Sequence, residues 1–167
     1  MNITTRQGDY GVTDIHGKRI SKTDLLMEVI GEIDTLMAQC IICSAQDDTY
    51  RTDMMQIVED LTTMCSYITD YTPEVDFTVH LSWITDRIRA LEPKEMNFQF
   101  VYSFTSIKAA QYNLARTFSR TAERKCFKSS GKCQGIFPFF PITRCLSCAA
   151  ISTIVLFIIG FKGHDKK

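Results

Sequence analysis

The chain has 167 residues, 45% hydrophobic and 23% charged, a balance typical of a folded globular protein and not of a disordered one. This length suits one domain with a substantial core, so we predict a single helical domain over residues 1–167. Nineteen basic and nineteen acidic residues cancel, which argues against nucleic-acid binding through overall charge. Any anion site must therefore be a local cluster.

The first twenty residues, MNITTRQGDYGVTDIHGKRI, hold three of the eight glycines and show little helical periodicity. They predict an ordered loop. Ser21 is a candidate N-cap, with Asp24 three residues later as a weak capping-box analogue. Apolar residues then recur at helical spacing and predict a long first helix: Leu25, Leu26, Val29, Ile30, Ile33, Leu36, Met37, Ile41 and Ile42.

Three more helices follow along the chain. Residues 46–49 interrupt the period, and a second helix runs from Met54 to Ile68, before the Tyr71-Thr72-Pro73 turn. A third runs from Phe77 to Leu91 and stops near Pro93, because proline disfavours helix in the residue before it. We read residues 97–102 as an extended connector and 105–127 as a fourth helix, so a bundle of four or five helices is expected.

The carboxy-terminal part changes character. An uncharged stretch covers residues 145–161 and precedes a basic tail. At about 17 residues it is at the lower limit for crossing a bilayer. We favour a fifth helix, buried in the bundle or at a subunit contact, over a membrane anchor that would tether an interaction bundle.

The seven cysteines are an odd number, and no amino-terminal apolar segment resembles a signal peptide. Reduced thiols and a cytoplasmic location are expected. Cys40-x-x-Cys43 and Cys145-x-x-Cys148 have the spacing of zinc ligands, but the first pair lies in an apolar helical pattern and the histidines are scattered. Buried structural thiols are the favoured interpretation.

Two segments have the composition of anion sites. The segment from Thr5 to Thr13 combines two glycines, hydroxyls and Arg6, which suits phosphate binding through backbone N–H groups, although Gly-Asp-x-Gly is also an ordinary turn. Arginines at positions 116, 120 and 124 step by four along one helix face. Such a run is either a solvated face or one whose charges are balanced by Asp34, Glu28 or a bound anion.

Together these residues resemble the PduO-type ATP:cob(I)alamin adenosyltransferase family, over about residues 4–125. The family's T-[KR]-x-G-D-x-G-x-T segment corresponds to Thr5 to Thr13, and its G-x-R-[VI]-x-K stretch to Gly17 through Lys22. Two helix motifs complete the match. The family's E-x-x-G-x-x-D pattern corresponds to Glu28, Gly31 and Asp34. Its R-x-x-x-R-x-A-E-R pattern corresponds to Arg116, Arg120, Ala122, Glu123 and Arg124.

The resemblance implies a five-helix bundle that forms a homotrimer with ATP between subunits. It implies that residues 1–21 form the nucleotide-binding loop and that the ATP ligands are Thr5, Arg6, Gly8, Asp9, Gly11, Thr13, Lys22, Arg120 and Glu123. The catalytic set would be Arg120, Glu123, Asp34 and Arg116, with Asp34 pairing with Arg116 across the interface. Phe100 would lie beneath the corrin ring and exclude the lower axial ligand of cobalt.

The implied reaction transfers the 5′-deoxyadenosyl group of ATP to cob(I)alamin and releases triphosphate. It needs alignment and charge neutralisation and no catalytic base, which agrees with the lack of a Ser-His-Asp or Cys-His arrangement in the sequence. Mg²⁺ would bridge the phosphates. A flavoprotein reductase is an expected partner, because the nucleophile is reduced cobalt.

Several positions depart from the family pattern. Ser103-Phe104-Thr105 replaces a Pro-Gly-Gly turn, Tyr10 replaces a lysine, Thr35 an acidic residue and Asn113 a histidine. Residues 133–167 are divergent and lack the family's L-N-R-L-S-D helix. These departures leave an alternative open, in which the bundle binds a nucleotide or a corrinoid and has lost turnover.

Overall fold

The computed structural model describes residues 10–15, 17–69, 75–91 and 106–130. Within them lie a hairpin of strands β1 (Val12–Ile15) and β2 (Lys18–Ser21), and the helices α1 (Leu25–Gln46), α2 (Arg51–Ile68), α3 (Phe77–Leu91) and α4 (Ile107–Ser130). The predicted all-α bundle is confirmed. The extended connector at 97–102 and the fifth helix or anchor at 145–161 lie outside the described residues.

The amino-terminal loop contains a hairpin that the sequence analysis did not predict. β1 and β2 pair antiparallel, with Val12 opposite Ser21 and Ile15 opposite Lys18, and Gly17 lies in the turn between them. Gly17 has φ +74°, a left-handed conformation that glycine adopts without steric cost and that tight hairpin turns require. The prediction of an ordered loop was therefore incomplete, because two four-residue strands give too little alternation to recognise.

Helix α1 begins with a different cap from the one predicted. Asp24 is the N-cap, and its Oδ1 accepts a hydrogen bond from the Leu26 backbone N–H at 2.8 Å. Ser21 Oγ instead accepts a bond from the Thr23 N–H at 3.2 Å, at the end of the hairpin. The Ser21 cap was wrong by three residues because an aspartate closer to the helix satisfies the first free N–H groups.

Helix α1 forms the centre of the bundle, in contact with both α2 and α4. Its buried apolar residues recur every three or four positions and form one stripe: Val29, Ile33, Leu36, Cys40 and Cys43. The buried stripe of α4 consists mainly of small residues: Ala109, Tyr112, Ala115, Ser119, Ala122 and Cys126. Small side chains allow the two helices to pack closely, with Tyr112 as the one large buried group of that stripe.

Helix α3 contacts α2 through an aromatic pair, an ion pair and a hydrogen bond between a histidine and an aspartate. The rings of Phe77 and Tyr67 meet edge to face with centroids 5.1 Å apart. Arg87 binds both carboxylate oxygens of Asp53, at 2.8 and 2.7 Å, and His80 Nδ1 lies 2.7 Å from Asp60 Oδ1. The two contacts are separated by seven residues on each helix, from Asp53 to Asp60 on α2 and from His80 to Arg87 on α3. Polar contacts therefore recur along the surface where α2 and α3 meet.

The described cysteines are free thiols, and those on α1 and α4 are buried. Burial raises the pKa of Cys40 and of Cys126 to about 12, and that of Cys43 to about 11, where a hydrogen bond from Gln39 opposes the shift. In the described ranges no three potential ligand side chains gather around a metal position. The structure thus supports buried structural thiols at Cys40-x-x-Cys43; Cys145-x-x-Cys148 lies outside the described residues.

Native thiol labelling tests this burial. A raised pKa means that the reactive thiolate forms only at higher pH, so at pH 8 a much smaller fraction of the Cys40 thiol is ionised than of an ordinary cysteine. We expect peptides containing Cys40 or Cys126 to resist iodoacetamide at pH 8 and to react after denaturation, as followed by mass spectrometry. Equal labelling rates in the native and denatured states would contradict the burial of these thiols.

None of the helices in the described ranges has the length and apolar character needed to cross a membrane.

Candidate functional site

The described end of the predicted phosphate loop is closed by the hairpin. The backbone N–H of Lys22 donates to the carbonyl of Gly11 at 2.9 Å, so two motifs that are eleven residues apart in sequence lie side by side. Gly11 has φ +73°, and Gly11 and Lys22 are exposed, while Thr13 is half-buried opposite Ile20. The predicted ligands Thr5, Arg6, Gly8 and Asp9 lie outside the described residues.

The three arginines of α4 follow one another on successive turns, as their spacing predicts. Each guanidinium hydrogen-bonds one side chain three positions away on the same helix: Arg116 Nε to Asn113 Oδ1 at 2.8 Å, Arg120 Nη1 to Glu123 Oε2 at 3.0 Å, and Arg124 Nη2 to Thr121 Oγ1 at 3.0 Å. These contacts along the helix hold the guanidinium groups in defined orientations despite their like charge.

Arg120 and Glu123 form the ion pair at the middle of this row. The Arg120 side chain is 52% exposed, whereas that of Glu123 is only 13% exposed. A guanidinium carries five N–H donors, so the Glu123 contact leaves donors for a phosphate or carboxylate. The partly buried Glu123 carboxylate thus orients a guanidinium that is half-exposed to solvent.

Glu28, which the sequence analysis named as a candidate partner of the arginines, contacts a lysine of the helix that carries them. Its carboxylate contacts Lys125 Nζ, which joins the start of α1 to the end of α4 and raises the pKa of Lys125. Asp34 is exposed on α1, and its charge adds to the burial that raises the pKa of Cys65 on α2 to about 11. The implied pairing of Asp34 with Arg116 would join two subunits, so the structure of a single chain does not test it and it stays a prediction. Phe100 lies outside the described residues.

Sequence reasoning missed a buried carboxylate, Asp47, where residues 46–49 were taken only as a break between helices. Its side chain is 6% exposed and contacts three groups: the Thr49 backbone N–H at 3.2 Å, Lys108 Nζ at 3.4 Å and Tyr112 Oη at 3.3 Å. Burial, with the nearby Asp47 charge, raises the pKa of Tyr112, so this hydroxyl stays protonated and donates to Asp47. The available signal was an aspartate at a break between helices, because Asp47 directly precedes a single helical turn (Asp48–Tyr50) and caps it.

Comparison with known proteins relates these features to a family. The family described as Cobalamin adenosyltransferase matches residues 3–136. The corrinoid adenosyltransferase PduO of Salmonella typhimurium (strain LT2) is 30% identical over an alignment of 135 residues, which covers 75% of this chain and 40% of that relative. The chain therefore spans less than half the length of this relative.

Solved structures show the same fold. A variant of a PduO-type ATP:corrinoid adenosyltransferase from Lactobacillus reuteri, complexed with cobalamin and ATP, aligns with a TM-score of 0.80 at 17% identity, over 97% of this chain and 93% of that one. A second variant of the PduO-type enzyme from the same organism, complexed with ATP, aligns with a TM-score of 0.78 at 18% identity, over 96% of each chain.

Proposed function

Because this chain belongs to the cobalamin adenosyltransferase family, we propose that it transfers the 5′-deoxyadenosyl group of ATP to cob(I)alamin and releases triphosphate. The observation that carries the proposal is the exposed Arg120 guanidinium, held by the partly buried Glu123 carboxylate on the helix face that the family motif marks. The structures of PduO-type relatives complexed with cobalamin and ATP support the same pair of substrates.

In this proposal the nucleotide lies between subunits of a homotrimer. The loop would supply Thr5, Arg6, Gly8, Asp9, Gly11 and Thr13, together with Lys22. Arg120 and Glu123 would reach the same nucleotide from the adjacent subunit, and Asp34 would pair with Arg116 across the contact. Two described features support the arrangement: Gly11 and Lys22 lie together on an exposed hairpin, and Asp34 and Arg120 are exposed.

The chemistry is a displacement at carbon. The cobalt(I) electron pair attacks the 5′ carbon of ATP, the C5′–O bond breaks, and its electrons leave with triphosphate. Proton transfer is not required, so the chain's contribution is to align the two substrates and to stabilise the charge that develops on the leaving group. Arg120 is suited to the second task, and Phe100 is proposed to contact the corrinoid.

Magnesium fits this proposal as an ion held mainly by the nucleotide. Mg²⁺ at nucleotide sites takes most of its ligands from phosphates and water, with one or two from the protein. The described residues contain no cluster of three acidic, histidine or cysteine ligands that would form a cage, and such a site does not need one. We further propose a cytoplasmic location and a flavoprotein reductase that supplies cobalt(I).

Anaerobic turnover tests the function. The protein is incubated with ATP, Mg²⁺ and chemically reduced cobalamin, and adenosylcobalamin and triphosphate are quantified by chromatography. Equimolar formation of both products supports the proposal. An inert protein that still binds ATP or cobalamin in calorimetry would instead support the alternative of a binding bundle without turnover, which the Ser103-Phe104-Thr105 segment and the divergent residues 133–167 favour.

A further inference from the structure

Asp47 lies where α1 ends and α2 begins, and it also contacts α4. One oxygen, Oδ1, accepts the bond from the Thr49 N–H that closes the turn after α1, and it lies 3.4 Å from Lys108 Nζ. The other, Oδ2, accepts the bond from Tyr112 Oη. A buried carboxylate requires such partners because removing a charge from water is costly. The three contacts therefore fix the start of α4 against the α1–α2 junction.

Lys108 and Tyr112 also belong to the same row of side chains as the arginines. Positions 108, 112, 116, 120 and 124 are each four residues apart on α4, and residues at this spacing lie next to one another on a helix surface. Tyr112 is 1% exposed and packs edge to face on Tyr50, with ring centroids 6.4 Å apart. Lys108 and Tyr112, the first two members of this row, are thus held at the α1–α2 junction by Asp47. Arg116 follows Tyr112 by one helical turn.

A helix that is fixed at one row of side chains is fixed in its rotation about its own axis. Two further contacts hold α4 along α1: Gln39 Nε2 donates to the Gln111 carbonyl at 3.1 Å, and Lys125 contacts Glu28. Both Lys125 and Glu28 are partly exposed, whereas Asp47 and Tyr112 are buried. The Asp47 contact is thus, together with the Gln39 contact, one of the buried polar contacts that help to fix the rotation of α4.

We propose that Asp47 is a positioning residue for ATP: through Tyr112 and Lys108 it sets the rotation of α4 and hence the placement of the Arg116 and Arg120 guanidinium groups. This inference rests on the proposed function. A displacement of about 1 Å at a reacting or binding group reduces turnover by up to about 100-fold, so a small rotation of α4 has a large effect.

The test compares Asp47→Asn with Asp48→Asn. Asparagine remains a good cap for Thr49, but its amide nitrogen cannot accept the Tyr112 bond and it has no charge for Lys108. Asp48 is the adjacent exposed carboxylate and contacts Arg51, so it is the matched control. We expect Asp47→Asn to raise the KM for ATP by about tenfold, with the KM for cobalamin unchanged, and Asp48→Asn to change neither.

Tyr112→Phe is the second variant, because it removes the other half of the same bond and keeps the ring. We expect it to raise the KM for ATP in the same direction and by a smaller factor. All assays are made well below each variant's unfolding midpoint, so that loss of folded protein does not contribute. A lowered midpoint with an unchanged KM for ATP would reduce Asp47 to a structural residue and overturn the inference.

The outcome for the parent separates this inference from the proposed function. If the parent turns over and Asp47→Asn matches Asp48→Asn, the inference fails and the function stands. If the parent is inert but binds ATP in calorimetry, the turnover proposal fails, and a tenfold weaker dissociation constant for Asp47→Asn still supports the positioning role. If the parent binds no ATP, both proposals fail.

Discussion

Replacing Arg120 with alanine is expected to lower kcat/KM for ATP by about 100- to 1000-fold, the range found when one preorganised donor to a developing negative charge is removed. Arg120 is exposed on α4 and is oriented by the partly buried Glu123 carboxylate, and we propose that its remaining donors bind the triphosphate. Stability should change little, because a half-exposed ion pair within one helix contributes under about 1 kcal/mol. Initial rates with varied ATP and saturating cob(I)alamin measure this effect.

Arg89→Ala is the matched control. Arg89 is 72% exposed and pairs with Asp86 three residues earlier on α3 at 3.2 Å, so it has the same local contact as Arg120 but lies outside the proposed site. We expect its kinetics to equal those of the parent. Equal losses in both variants, or a kcat/KM for Arg120→Ala close to that of the parent, would remove Arg120 from the nucleotide site.

Replacing Arg87 with methionine is expected to reduce the free energy of unfolding by about 2 kcal/mol. The reason is that Asp53, whose side chain is 12% exposed, would keep a charge without its two hydrogen bonds. The value lies below the ~3–5 kcal/mol typical of a fully buried pair because Arg87 is 36% exposed and solvent screens it. Urea denaturation followed by circular dichroism gives the measurement.

A double-mutant cycle separates the ion pair from packing. The double variant Asp53→Leu, Arg87→Met removes both charges together, so it should be more stable than Arg87→Met alone. Arg51→Met, which removes the exposed pair with Asp48, should change the free energy of unfolding by less than about 0.5 kcal/mol. A coupling energy near zero between positions 53 and 87 would mean that the Asp53–Arg87 ion pair does not help to hold α3 on α2.

The helices could be predicted from the sequence because each carries an apolar stripe over four or more turns. Val29, Ile33 and Leu36 on α1 are all buried, as their spacing indicates. The hairpin could not, because Val12–Ile15 and Lys18–Ser21 are too short to show alternation and their pairing depends on the conformation of Gly17. The N-cap of α1 is Asp24 and not the predicted Ser21, because backbone geometry decides which of two neighbouring candidates caps a helix.

The arginine row was predictable because helical spacing alone places Arg116, Arg120 and Arg124 on successive turns. Its local partners were not, because side-chain hydrogen bonds depend on rotamers that sequence does not specify. Asp47 was missed because its burial arises from Tyr112, which is 65 residues later in the chain and reaches it only when α4 packs on α1. Asp47 and the arginine row are thus connected in the folded protein through Tyr112, although only the spacing of the arginines is visible in the sequence.

The bond between Gly11 and Lys22 has a consequence for the thermodynamics of ligand capture. The entropy loss of bringing these two positions together already occurs when the protein folds, so residues 11–22 would not incur it again on binding the proposed nucleotide. Chain insertions at the solvent-facing tip near Gly17 would lengthen the ribbon and leave its base closed, which makes that tip a suitable place for a reporter group.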